Sequence, residues 1–69
     1  MAQQSKRLVE IGMDESSAFT SLLESDNWIP TRSEGDKTGG WYRMTHKRKN
    51  VDITVAYGSD RKIKNIFIG

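Results

Sequence analysis

His46 is the one histidine of the chain, and an imidazole is the commonest general base. A base also needs a group to act on and a partner that orients it. His46 stands next to Lys47, at the end of an apolar stretch, with no such arrangement around it. It reads as an ordinary edge residue of a hairpin. One histidine without cysteine also gives no transition-metal site, so no metal or other cofactor is expected. The acids Asp14, Glu15, Glu24 and Asp26 fall at the two ends of a helical pattern, where capping accounts for them. No catalytic residue is therefore expected, and the chain reads as a non-enzyme.

Two groups of motifs repay a closer look. Ser59-Asp60-Arg61-Lys62, Ser25-Asp26-Asn27 and Lys37-Thr38-Gly39 match the three patterns of the penicillin-recognising enzymes. Their order is wrong, and the chain is several-fold too short for that two-lobed fold. Gly35-Asp36-Lys37-Thr38-Gly39-Gly40 has the composition of a phosphate loop. A P-loop, however, puts Lys and Ser/Thr after its last glycine, between a strand and a helix. Here they precede the glycines and a strand follows. The segment reads as a flexible hairpin loop that could insert into a partner.

The residues best suited to recognition are aromatic and basic. Trp41 and Phe67 alternate with Arg43 and polar residues, and the basic clusters are Lys47, Arg48, Lys49 and Arg61, Lys62, Lys64, with Lys37 in the glycine segment. Aromatics beside an arginine on an open sheet suit base stacking, and flanking lysines suit phosphates. The same residues suit a protein interface. The formal charge of +2 hides a division. Lys6, Arg7 and Arg32 against Glu10, Asp14, Glu15, Glu24, Asp26 and Glu34 leave residues 1–35 at −3. Residues 36–69 stand at +5, with the eight bases Lys37, Arg43, Lys47, Arg48, Lys49, Arg61, Lys62 and Lys64 against Asp36, Asp52 and Asp60. Such polarity suits a polyanion, or an acidic and a basic face each meeting a protein.

These residues must be positioned by a small scaffold. Sixty-nine residues make one domain spanning 1–69, near the lower limit for a single core, which excludes doubly wound, barrel and two-domain enzymes. No cysteine means no disulfide framework, and the apolar runs are too short for a membrane span or a signal peptide. The expectation is a cytoplasmic protein. Residues 1–6 are polar and expected to fray. Residues 7–13 suit a short helix or an edge strand, broken at Gly12. Asp14 can cap a helix in which Ala18, Phe19, Leu22 and Leu23 form one stripe, ended by Ser25-Asp26-Asn27.

From Trp28 the pattern turns to strands. They are expected over residues 28–32, with Pro30 demanding an edge, then 41–46, 51–57 and 63–68. Residues 33–40, 47–50 and 58–62 link them. The fold class is α+β, with one N-terminal helix on an antiparallel three- to four-stranded meander. Four-residue links set His46 opposite Val51, Met44 opposite Ile53, Tyr42 opposite Val55, Ile66 opposite Val55, Ile68 opposite Ile53, and Gly58 opposite Ile63. One face then carries Tyr42, Met44, Val51, Ile53, Val55, Ile66 and Ile68, to pack against Phe19, Leu22 and Leu23. The other carries Trp41, Arg43, Thr45, Asp52, Thr54, Ala56, Ile63, Asn65 and Phe67. It needs a cover: residues 7–13, a second copy of the chain, or a target.

Residues 21–57 resemble the HicA-type RNA-interferase toxins in outline. Leu22-Leu23-Glu24, Asn27-Trp28, Arg32, Gly35, Tyr42, His46 and residues 51–55 follow in that family's order. The family's histidine closely follows its glycine loop, where this chain has Gly39-Gly40-Trp41. The family then continues into a helix, where this chain has a strand. The resemblance implies a helix-on-sheet architecture and carries no catalytic residue across.

The expectation for function is a binding protein that inhibits or modulates a larger protein or nucleoprotein. Its profile is similar to that of phage-encoded inhibitors of host enzymes and defences. Direct RNA or DNA binding is the alternative, a toxin–antitoxin role a further one. A homodimer is possible on either reading, and no membrane partner is expected.

Overall fold

The structure, a computed structural model, describes residues 8–25 and 27–69. The fraying expected of residues 1–6, and Asp26 in the helix stop, lie outside them. The chain is an α+β domain. A helix, α1 (Glu15–Glu24), is followed by four strands: β1 (Trp28–Asp36), β2 (Gly39–His46), β3 (Asp52–Gly58) and β4 (Ile63–Ile68). They form one antiparallel sheet in sequence order, with β1 and β4 at its edges.

The core lies on one side of that sheet. Tyr42, Met44, Ile53, Val55 and Ile63 point into it and meet Ala18 and Leu22 of α1, together with Val9. Phe19 stands edge-on to Tyr42 at 5.0 Å, and Trp28, Tyr57 and Ile66 close the margins. The Tyr42 hydroxyl donates to the Glu15 carbonyl at 3.4 Å. Burial, with Glu15 and Tyr57 nearby, pushes its phenol well above the ordinary tyrosine range. Leu23, expected in the helix stripe, is instead 41% exposed. The stripe closes over Ala18 and Leu22, and Leu23 falls a full 100° further round the helix than Leu22, toward solvent.

The start of α1 also differs from expectation. Asp14 occupies the cap position, but its side chain makes no capping bond. Its Oδ1 accepts instead from Lys62 Nζ at 2.7 Å, and the Glu15 amide donates to the Arg61 carbonyl at 2.9 Å. A turn nearly fifty residues away thus satisfies one helix-end donor and engages the capping carboxylate.

Residues 8–13 are neither helix nor strand. They turn at Gly12, whose φ of +91° lies in the left-handed region. The Gly12 amide donates to the Ile63 carbonyl and the Ile63 amide to the Met13 carbonyl, both at 2.8 Å. The segment therefore grips the start of β4 and buries Val9 on the helix side of the sheet. It does not cover Trp41 and Phe67.

The expected pairings hold through the middle of the sheet: Met44 with Ile53, Tyr42 with Val55, Ile66 with Val55, and Ile68 with Ile53. His46 donates its amide to the Val51 carbonyl at 2.9 Å. Two departures matter. First, residues 33–36 continue β1, and residues 39–40 begin β2, so the expected flexible loop is a tight hairpin with Asp36 opposite Gly39. Asp36 Oδ1 accepts from the Thr38 amide (2.9 Å) and hydroxyl (2.6 Å), an Asx turn that fixes the link. Gly35 and Gly40 lie opposite each other beneath the Tyr57 hydroxyl. A Cβ at Gly35 would come 2.6 Å from that oxygen, so close packing is what needs glycine there.

Second, the pairing slips between β3 and β4. Ala56 pairs with Asn65 but Tyr57 pairs with Ile63, leaving Lys64 as the extra residue of a β-bulge. Ile63 was expected on the outer face opposite Gly58. The bulge turns it inward, where it is 1% exposed. A similar slip in β1 falls at Thr31, beside Pro30, on the edge strand that Pro30 requires.

Two adjacent leucines thus have opposite environments. Leu22→Ala should cost about 2–5 kcal/mol, and Leu23→Ala well under about 1 kcal/mol. Urea unfolding followed by tryptophan fluorescence measures both. Equal losses would place the helix face wrongly.

Candidate binding surface

Paired residues of an antiparallel sheet share a face, so the register lays out the outer surface as rows across the strands. Arg32, Arg43, Thr54 and Phe67 form the middle row, one from each strand. Glu34, Trp41, Ala56 and Asn65 form a second, and Ile29, Thr45 and Asp52 begin a third. At about 4.8 Å per strand, the middle row spans about 14 Å.

Two guanidinium groups from the neighbouring row approach the Trp41 ring. Arg32 lies 6.0 Å and Arg43 5.7 Å from its ring centroid, within cation–π range. Arg32 also pairs with Glu34 at 3.2 Å. Arg43 Nε donates to Thr54 Oγ1 at 3.3 Å, and Thr45 donates to Asp52 at 2.9 Å. Phe67 stands at the end of the middle row, 59% exposed. No element of the described chain covers this face.

The basic residues expected around it are spread over both ends of the sheet. Lys37, Arg61 and Lys62 lie in the β1–β2 and β3–β4 turns at one end, with Lys64 at the bulge. Lys47, Arg48 and Lys49 lie in the β2–β3 turn at the other. Two of the lysines are engaged, Lys62 with Asp14 at 2.7 Å and Lys64 with Asp60 at 3.3 Å. Arg61 adopts a φ of +64° and lays its guanidinium over Tyr57 at 5.3 Å, so it joins the helix side of the sheet. Of the expected binding residues, the structure therefore brings together Trp41, Arg43 and Phe67.

It also adds Arg32 and Glu34, which the sequence reading left out. Strand geometry carried past Arg32 sets Glu34 on the same face, but no apolar alternation marks the strand as continuing. The polar, glycine-bearing composition of residues 33–40 concealed it.

His46 has a structural task. Its Nδ1 accepts from the amides of Arg48 (3.0 Å) and Lys49 (3.1 Å), and its ring stands edge-on to Trp28 at 5.0 Å. Among the described residues no cluster of three or more His, Cys, Asp or Glu forms a metal site, and no helix is long and apolar enough to cross a membrane.

No family model matches this chain, and no curated protein or solved structure was found to be similar to it.

Three groups with shifted titration lie in or beside the turns at the Lys37 end. The side-chain bond from Thr38, then its amide, holds Asp36 below the ordinary value of 3.8. The Lys62 amide, and more weakly Lys64, does the same for Asp60. Hydrogen bonding and charge from Asp14 raise Lys62 above 10.5. Lowered carboxylates contribute stability that is present above their ordinary value and lost as pH falls through the folded value. The raised lysine contributes stability present below its ordinary value and lost as pH rises through the folded one. Stability should therefore be flat between these limits and fall at both ends. Urea midpoints measured against pH test this, and an Asp36→Asn, Asp60→Asn double variant should show a shallower acid limb than the native chain.

Proposed function

We propose that the protein is a non-enzymatic binding protein whose outer sheet face docks on a larger protein and thereby blocks or modulates it. The observation that carries this reading is Trp41 with the guanidiniums of Arg32 and Arg43 in cation–π range, on a sheet face that no element of the described chain covers. Tryptophan and arginine are the residues that most often dominate binding energy at protein interfaces. Trp41 presents a large, stiff apolar surface, and the two guanidiniums present planar donors to carboxylates or carbonyls. Phe67 adds a second apolar contact along the same row. The partner surface that fits is apolar at its centre with acidic groups beside it. A cytoplasmic setting belongs to this reading, since the fold holds without disulfides.

Single-stranded nucleic acid is the second reading, favoured by Trp41, Arg43 and Phe67 lying within one row of each other. Three features favour the protein partner. Glu34 and Asp52 lie on the same face and would repel phosphates. Lys62 and Lys64 are engaged by carboxylates. The remaining basic turns lie at opposite ends of the strands rather than along one track.

Capture on the immobilised chain, compared with a Trp41→Ala variant, tests the proposal. A stoichiometric protein partner should be retained by the native chain, and its affinity should fall about 30-fold or more with Trp41→Ala while the fold is kept. Retention unchanged in the variant would sink the outer face as the docking surface. Tryptophan fluorescence that responds to single-stranded oligonucleotides, with affinity falling steeply in salt, would support the second reading instead.

A further inference from the structure

The two edges of the sheet are built differently. The β1 edge carries Pro30, a bulge at Thr31, and the charged residues Arg32, Glu34 and Asp36. Those are the devices by which edge strands avoid pairing with another chain. Among the described residues, the β4 edge has comparable protection only at its start. There Lys64 bulges, residues 12 and 13 exchange hydrogen bonds with Ile63, and Asp14 bridges to Lys62. The chain then turns away at Gly12, and β4 runs on as Asn65-Ile66-Phe67-Ile68 without a charged side chain.

The direction of its backbone groups follows from the ladder. Asp52 and Gly69 exchange both backbone hydrogen bonds, at 3.2 and 3.0 Å, so residue 69 faces β3. Alternation makes Phe67 and Asn65 face β3 as well. The amide and carbonyl groups of Ile66 and Ile68 therefore point away from the sheet. Ile68 is 70% exposed, and Leu8 and Ile11 extend the apolar surface beside it on the helix side.

We propose that two copies of the chain pair through this edge, antiparallel and two-fold symmetric, into one continuous eight-stranded sheet. The sequence of the edge is self-complementary, as a two-fold interface requires. With the axis at Phe67, Ile66 of each copy exchanges both hydrogen bonds with Ile68 of the other, and the two Phe67 residues face each other. The central contacts of Ile66, Phe67 and Ile68 are all apolar, and the polar Asn65 falls opposite Gly69. Lys64, the only charge on the strand, stands three residues from the axis, about 10 Å along it, where salt screens it. An acidic or basic foreign strand would find no complement here, whereas a second copy does. The assembly also joins the two outer faces, so that the row of Arg32, Arg43, Thr54 and Phe67 continues through Phe67 of the second copy. The inference rests on the sheet's edges and stands apart from the function proposed above.

A unique thiol tests it directly, because the chain has no cysteine. Position 67 would form a non-hydrogen-bonded pair across the axis with Cα atoms about 4.5 Å apart, within the range a disulfide bridges. Phe67→Cys should therefore oxidise rapidly to a covalent dimer, while Ser59→Cys, in the exposed β3–β4 turn, should remain largely monomeric. Ile68→Pro removes one outward amide and leaves the ladder to β3 intact. It should keep the native circular dichroism and sediment as a monomer, where the native chain sediments at twice its mass at high concentration. A native chain that sediments as a monomer throughout would overturn the proposal. So would equal cross-linking of the two cysteine variants, or a folded Ile68→Pro variant that dimerises as well as the native chain.

Discussion

One ten-residue helix can cover only one face of a four-stranded sheet, and every other feature of this chain accommodates that constraint. Ala18 and Leu22 lie over Met44 and Val55, and Val9 and Ile63 complete the same side. Among the described residues no apolar element is left for the other face. Its order comes from side chains that interact across the strands: Arg43 with Thr54, Thr45 with Asp52, and the Arg32 and Arg43 guanidiniums with the Trp41 ring. Such contacts hold a surface in shape without hiding it from water, so the outer face is ordered and accessible together.

The middle of the sheet was legible because its residues have only one favourable placement. Val51, Ile53 and Val55 alternate with polar residues, and Met44 and Tyr42 alternate in the facing strand, so a slip by one would drive Thr54 and Arg43 into the core. The failures fall where sequence has no such leverage. Residues 33–36 are polar on both sides because both sides meet water there, and alternation cannot be seen. Ile63 suits either face, and only the bulge at Lys64 decides. Residues 8–13 take their form from bonds to Ile63, and the Asp14 carboxylate turns to Lys62. Those partners lie about fifty residues along the chain, beyond any local pattern.

The charge division of the sequence takes on a different meaning in the fold. The pair of Asp14 and Lys62 joins the acidic half to the basic half, and Asp60 engages Lys64 within the basic half. These exposed pairs contribute little stability. Their effect is to draw the two lysines away from a single basic patch. The face that results is centred on Trp41 with one arginine from each half, Arg32 and Arg43, and the other bases stand at its far ends.

The lone histidine shows why residue type and residue role diverge in so small a domain. His46 was the obvious candidate for acid–base chemistry, yet its Nδ1 accepts two amides of the turn that follows it. Its ring packs on Trp28, and the Lys47 amide donates to the Asn27 carbonyl at 2.8 Å. The β2–β3 turn is thereby tied to the segment between α1 and β1. A loop so rich in lysine and arginine would otherwise repel itself open. Held by the imidazole, Arg48 and Lys49 keep a fixed position at the end of the outer face. The imidazole thereby fixes the backbone of the turn that carries Arg48 and Lys49.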